Sequence, residues 1–189
     1  PPDRLDITRV LTRSSAAIGV VLDLEPAGSD RIWLAHHGMG LSLFDLASEQ
    51  VVTTYVTDPG KPSALTDSRV NQLYPGRDSN LWIATAPGLT LFDPNAETFK
   101  DVLGGPDEPL ATAERIISLW QQSEDAVWLG TNGEGLWRLD PETGEVTAQY
   151  AVQDGLPNGV IYHILADDGG QLWLSTNLGL ARFDPASET

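Results

Sequence analysis

Short apolar runs bounded by polar turns dominate the chain, and four of them carry a tryptophan: RIWLA at 31–35, LWIAT at 81–85, VWLGT at 127–131 and LWLST at 172–176. Runs of this length between turn residues read as buried strands. The tryptophans, Trp33, Trp82, Trp128 and Trp173, stand 49, 46 and 45 residues apart, a period in the propeller range. Alignment on them brings further columns into register. Twelve positions upstream stand Val21, Val70, Ile116 and Ile161, and nine upstream stand Leu24, Leu73, Leu119 and Ile164. Downstream come Gly40-Leu41, Gly88-Leu89, Gly135-Leu136 and Gly179-Leu180, then Phe44-Asp45, Phe92-Asp93, Leu139-Asp140 and Phe183-Asp184. Chance recurrence of one residue type would not align the other columns.

Each copy therefore reads as strand, polar turn, tryptophan strand, glycine turn, third strand, aspartate turn and a more variable fourth strand, such as VVTTYV at 51–56 or EVTAQY at 145–150. The predicted fold is all-β: four four-stranded antiparallel β-propeller blades at about 15–56, 69–102, 114–150 and 160–184, within one repeat region spanning 1–189. First strands that are apolar on both faces suit inner strands packed between blades, and alternating fourth strands suit edges. The last copy reaches Phe183-Asp184 without a fourth strand of its own. Residues 5–12, LDITRVLT, are expected to supply the outer strand of that last blade, closing a four-bladed ring, or of a preceding blade, making the chain part of a larger propeller. The two readings predict different association, because an open arc has two raw faces to bury.

With 41% hydrophobic residues the chain has enough apolar material for a core, which argues against a disordered segment. The formal net charge of −16, from 27 acidic and 11 basic residues, opposes binding to nucleic acid and to an anionic membrane surface. Cysteine is absent, so neither a disulfide nor a thiolate metal site is available, and the redox compartment stays open. No apolar stretch approaches the roughly eighteen residues of a membrane span. The opening PPDRLDITRV lacks the layout of a signal peptide, so export would need a targeting segment outside this chain.

The run from Gly155 to Trp173, GLPNGVIYHILADDGGQLW, followed by LSTNLGLARFDP, resembles the two-component regulator propeller repeat. Blades of that family pair a Gly-Leu-Pro-Asn entry with a Leu-Trp-Ile-Gly-Thr strand, a Gly-Leu and a Phe-Asp-Pro exit. The other three copies match more loosely, and the resemblance covers residues from about 15 to 185. The first copy departs from it with His36-His37-Gly38-Met39 at its turn and Leu46 in place of the exit proline. The resemblance implies the periplasmic sensor region of a bacterial hybrid two-component system histidine kinase. Such regions often detect glycans, and their propellers are usually larger than four blades and followed by a further β domain, a membrane helix and a kinase. It favours reading this chain as part of a longer sensor.

Residues that repeat in every blade are explained by the fold. The tryptophans are assigned to packing, and Asp93, Asp140 and Asp184 with their prolines to turns, Gly144 supplying a positive φ in DPETGE. Function is expected where the blades differ, on the face formed by the loops entering the first strands (57–69, 103–115, 152–160) and the turns between second and third strands (36–39, 85–87, 131–134, 176–178). The candidate ligand-binding residues there are His36, His37, Asn132, Glu134 and Asn177 from the turns, with Arg69, Arg115 and Asn158 from the entries. Arg69 and Arg115 both stand thirteen residues before a tryptophan, so adjacent blades would present equivalent cations to a carboxylate or sulfate, unless each pairs with an acid such as Asp67 or Glu114. A polar column ten before the tryptophans, Asp23, Gln72, Ser118 and His163, is expected to face the channel, which adds His163 to the candidates. Trp120, Trp137, Tyr74 and Tyr162 lie outside the shared tryptophan column and are assigned either to inter-blade packing or, with Tyr162 as a candidate, to stacking on a sugar.

No catalytic residue, metal site or cofactor is expected. Adjacent His36 and His37 point to opposite sides of a strand, which keeps them from one metal. HExxH, G-x-S-x-G and Walker-type signatures are absent, and Asp167-Asp168-Gly169-Gly170 reads as a hairpin turn and not a calcium loop. The leading expectation is a non-catalytic, periplasmic ligand-sensing segment. Its expected partner is an oligosaccharide or an acidic small ligand, with self-association or packing against further blades, and without nucleic acid or direct membrane contact. A protein-interaction scaffold is the alternative, since a rigid acidic face suits a basic partner. A propeller lyase or hydrolase using His36, His163 or a carboxylate stands behind both.

Overall fold

The structure is a computed structural model that describes residues 19–58, 60–61, 64–85, 87–105 and 115–188. Four antiparallel sheets follow one another along the chain. The first is β1 (Val21–Pro26), β2 (Arg31–His36), β3 (Gly40–Asp45) and β4 (Gln50–Tyr55), hydrogen-bonded in that order. The second is β5 (Val70–Pro75), β6 (Leu81–Thr85), β7 (Gly88–Asp93) and β8 (Thr98–Gly104), and the third β9 (Ile116–Gln121), β10 (Val127–Thr131), β11 (Leu136–Leu139) and β12 (Val146–Tyr150). The fourth has three strands, β13 (Ile161–Ala166), β14 (Leu172–Thr176) and β15 (Gly179–Phe183). The 5–12 segment expected to complete a blade lies outside the described residues. Single 3₁₀ turns occur at Arg77–Ser79 and Val152–Asp154, and among the described residues no helix is long and apolar enough to cross a membrane.

Two columns of the repeat follow from local geometry. The glycine of each Gly-Leu pair sits where the fourth strand of its own blade passes close: a Cβ on Gly40, Gly88 or Gly135 would collide with the carbonyl of Tyr55, Leu103 or Tyr150. Gly179, whose blade shows no fourth strand, has open space there. The exit aspartates fold the turn into the fourth strand. Asp45 Oδ1 accepts from Ser48 N at 2.8 Å, Asp93 Oδ1 from Asn95 N at 2.8 Å, Asp140 Oδ1 from Glu142 N at 2.8 Å and Asp184 Oδ1 from Ala186 N at 2.9 Å. The Ser48 hydroxyl holds the Asp45 carboxyl below the usual carboxylate range, and backbone N–H groups do the same for Asp140 and Asp184.

The first strands hold a feature that strand periodicity alone hides. Positions twelve and nine before each tryptophan differ by three, so in a regular strand they would face opposite ways. A register shift between them recurs in all four sheets, at Val21/Asp23, Val70/Gln72, Ile116/Ser118 and Ile161/His163. This β-bulge absorbs one residue. Both apolar columns then face the preceding blade: Val70 and Leu73 share a core with Trp33, Ile116 and Leu119 with Trp82, and Ile161 and Ile164 with Trp128.

The core therefore lies between sheets. Trp33, Trp82 and Trp128 each pack onto the next blade, with the ring edge against that blade's exit aromatic where one exists. Trp33 meets Phe92 at 5.5 Å and 87°, and Trp128 meets Phe183 at 5.2 Å and 62°. In the column ten before the tryptophan, expected to face the channel, two members tie blades together. Asp23 Oδ2 accepts from Leu73 N at 2.9 Å, and Ser118 Oγ donates to the Ile161 carbonyl at 2.9 Å. Gln72 Oε1 accepts from the Tyr74 hydroxyl at 2.7 Å.

Neighbouring sheets pack in chain order, and the first and fourth do not pack as neighbours, so the described blades form an open arc and not a closed ring. Exposure records what each end lacks. Leu180 is 71% exposed, although its counterparts Leu41, Leu89 and Leu136 are at most 1% exposed, and Trp173 is 38% exposed against 6% or less for the other three. At the opposite end Leu24 is 55% exposed, against 3–8% for Leu73, Leu119 and Ile164. Identical residue types thus differ by whether a blade covers them. Leu136→Ala is expected to cost about 2–5 kcal/mol, and Leu180→Ala less than about 0.5 kcal/mol, read from urea midpoints at dilute concentration. Equal losses at the two positions would contradict this packing scheme.

Candidate functional site

The face expected to carry function is a ledge of entry loops and second-to-third-strand turns, joined by backbone bonds that repeat from blade to blade. Gly40 N donates to the Ser68 carbonyl of the next blade at 2.8 Å, and Gly135 N to the Gly159 carbonyl at 2.8 Å. The residue four past the tryptophan bridges the next entry, His37 to Arg69 and Asn132 to Val160. It also donates its own N–H to the entry of its own blade, His37 N to Val20 O and Asn132 N to Arg115 O, both at 3.0 Å. The scaffold is therefore shared, and the side chains it presents differ between blades.

His36 and His37 separate as adjacent strand residues must. His37 is exposed. His36 is buried, its Nε2 2.9 Å from Ser42 Oγ, which lies 3.0 Å from Thr54 Oγ1, so a polar chain runs across three strands of the first blade. Arg69 is committed locally: its Nε donates to Asp67 Oδ1 at 3.0 Å and its terminal nitrogen pairs with Asp67 Oδ2. Hydrogen bonds to the Arg69 side chain and backbone outweigh burial and lower the Asp67 carboxyl. Arg115 is exposed and makes no ion pair among the described residues, and Glu114, its expected partner, lies outside them. The two cations thus occupy equivalent places in unequal states.

A second group gathers in the fourth blade. Tyr162 donates its hydroxyl to Asn177 Oδ1 at 2.7 Å, and Asn177 Nδ2 reaches Asn158 Oδ1 at 3.4 Å, which also accepts from Val160 N at 2.8 Å. The structure thus brings Tyr162, Asn177 and Asn158 together, with Asn132 adjoining them through its bridge to Val160. Glu134 is exposed on the turn, its N–H donating to Thr131 Oγ1 at 2.9 Å. His163 is exposed on β13 in the column that links blades elsewhere. Of the remaining aromatics, Trp137 and Tyr74 pack in the core between the second and third blades, and Trp120 packs against the core of the third and fourth. Burial pushes the Tyr74 hydroxyl well above its ordinary pKa.

Two clefts accompany these groups. One of about 370 Å³ on the inner edge is lined by Leu22, Asp23, Asn71, Gln72, Arg115, Ile116 and Ile117, so Arg115 stands at a concave surface of mixed polar and apolar character. The other, about 650 Å³, opens between the first two blades on the opposite face, lined in part by Glu25, Arg31, Trp33, Tyr55 and Glu97. The sequence reading missed it by looking only at the entry face. Its signal is faint in sequence: three small or cyclic residues, Ala27, Thr53 and Pro75. Among the described residues no group of three or more His, Asp or Glu is arranged to hold a metal ion.

Comparison with known proteins agrees with this architecture. Residues 155–178 match the family profile described as two component regulator propeller. A curated relative, Histidine kinase P4 of Formosa agariphila, is 25% identical over 159 residues, which is 81% of this chain and 11% of that protein. Among solved structures, the extracellular domain of a hybrid two component system from B. thetaiotaomicron aligns with a TM-score of 0.73 at 19% identity, covering 94% of this chain and 24% of that one. The extracellular domain of a one component system from the same organism gives 0.69 at 19% identity, over 89% and 24%. The computationally designed Ika4 protein gives 0.59 at 11% identity, over 90% and 94%. At these identities the structures share the fold, and the chain spans about a quarter of each bacterial structure and a tenth of the curated relative. Residues 155–178 thus carry the two component regulator propeller repeat, and the blade-by-blade columns and the arc of sheets extend that likeness over the other blades.

Proposed function

We propose that this chain is a non-catalytic ligand-sensing propeller segment of a bacterial signal-transduction sensor, working in the periplasm and reading a saccharide or other small extracellular ligand. The observation that carries the reading is the gathering of blade-specific polar residues on one repeated ledge: Arg115, without an ion pair among the described residues, beside the inner cleft, and the Tyr162–Asn177–Asn158 group on the adjacent blade. Likeness to the extracellular domains of bacterial two component and one component systems supports it. An arginine without an ion-pair partner can take a ligand carboxylate in a forked pair, and the tyrosine ring is exposed for stacking. Calorimetric titration of the intact sensor with neutral and acidic oligosaccharides is expected to find a ligand whose affinity falls about tenfold or more on Arg115→Ala, the loss of one charge-assisted hydrogen bond. Failure of every sugar and small acid to bind the intact sensor would remove the reading.

A second reading, protein–protein contact, is favoured by a separate observation: the apolar end faces around Leu180 and Trp173 and around Leu24. The interior junctions show what covers such faces, namely another blade of this repeat. Burying a leucine and a tryptophan of this kind stabilises by about 1.5–3 kcal/mol each. The isolated chain is therefore expected to self-associate head to tail in sedimentation velocity, with little dependence on salt, and Leu180→Glu is expected to return it to monomer. A monodisperse wild-type monomer at high concentration would contradict this.

A further inference from the structure

Three of the four shared tryptophans have an acceptor for the indole N–H. Trp82 Nε1 donates to Gln121 Oε1 at 3.0 Å, Trp128 Nε1 to Gln122 Oε1 at 2.8 Å, and Trp173 Nε1 to Asp167 Oδ2 at 2.9 Å. The acceptors come from two places: the position six before the tryptophan in its own blade, or seven before the next tryptophan in the following blade. For Trp33 those positions hold Ala27 and Pro75, whose side chains accept nothing. The backbone is the same in each case, since Ala27 N donates to Arg31 O at 2.9 Å as Gln122 N does to Ala126 O at 2.9 Å. Among the described residues nothing accepts from the Trp33 N–H, although this side chain is only 6% exposed.

A second filler is missing at the same junction. Between the second and third blades Lys100, paired across the sheet with Leu91, extends its Nζ to the Glu142 carbonyl at 2.9 Å. Between the first two blades the corresponding partner of Leu43 is Thr53, too short to cross. The cleft that Trp33, Ala27, Thr53 and Pro75 line here is about 650 Å³, against about 260 Å³ for the one beside Trp82, Lys100 and Gln121 at the next junction. The larger volume is within the range of small-ligand sites, about 300–1,000 Å³.

We infer that this cleft is a binding site for an uncharged saccharide of one or two rings, on the face opposite the entry ledge. A sugar hydroxyl accepts from the Trp33 N–H in the place of the missing glutamine. Other hydroxyls donate to Glu97, whose Oε1 already takes the Tyr55 hydroxyl at 3.1 Å, and to Glu25. Trp33, Tyr55 and Pro75 give the apolar wall that a ring face needs. Two carboxylates against the single cation Arg31, itself 3.6 Å from Asp45, disfavour an anionic ligand. Desolvation raises the Glu25 carboxyl above its ordinary range, consistent with a partly enclosed wall. The site is independent of the ligand proposed for the entry ledge.

Calorimetric titration of the chain with maltose, cellobiose and lactose, and with glucuronic acid as the anionic comparison, tests the inference. At least one neutral disaccharide is expected to bind saturably and glucuronic acid not to. Ala27→Gln supplies the acceptor that the third blade carries and fills the cleft, so it is expected to weaken binding at least about tenfold, the worth of one lost hydrogen bond, without lowering the melting temperature. Glu97→Gln, on an exposed turn, is expected to weaken it as well, and Asp168→Asn, on an exposed hairpin turn of the fourth blade, to leave it unchanged. The inference is overturned if no neutral disaccharide binds, or if binding persists in both Ala27→Gln and Glu97→Gln. Loss on Arg115→Ala alone would overturn it too, placing the sugar on the entry ledge while sparing the sensing proposal.

Discussion

Everything in this molecule depends on apolar burial between sheets. A single four-stranded blade has two faces and no core of its own, so its tryptophan and leucine columns become stable only when the next blade lays its first strand over them. The recurring bulge is what makes that strand fit, by turning two apolar columns three residues apart toward the same neighbour. Hydrogen bonds from Asp23 and Ser118 to the backbone of the next first strand then fix register where apolar contact alone would let blades slide.

That division of labour explains why the repeated residues say so little about ligands. Where a column is the same in every blade it is consumed by packing or by a turn, as with Trp82 in the core and Asp140 in its turn. Chemistry enters where a blade drops the shared residue. Arg115 replaces an apolar entry, and Ala27, Thr53 and Pro75 take the place of longer side chains that narrow the next junction. The molecule thus holds two kinds of departure, one adding a polar group to a ledge and one subtracting groups to open a cleft.

The blades, their strand order and the three described strands of the last one were legible because they rest on columns that recur four times. The facing of residues was less so. The links of Asp23 and Ser118 to the next blade were not legible, because the one-residue bulge beside them leaves no mark in hydropathy. His36 is buried in a polar chain with Ser42 and Thr54, partners brought together only by cross-strand register. The Tyr162, Asn177 and Asn158 group was named residue by residue, yet its hydrogen bonds depend on how the entry loop folds over the turn. The cleft beside Trp33 is defined by what is absent, which no motif reports.

The claim that inter-blade burial sets stability is tested most directly by native-state hydrogen exchange on the monomeric chain. Strands β6 and β10 are covered by a blade on both sides, whereas β2 and β14 are covered on one. Amides of β6 and β10 are therefore expected to exchange slowest, with β2 and β14 opening earlier at lower free energy. Exchange of β14 as slow as that of β10 would contradict the account.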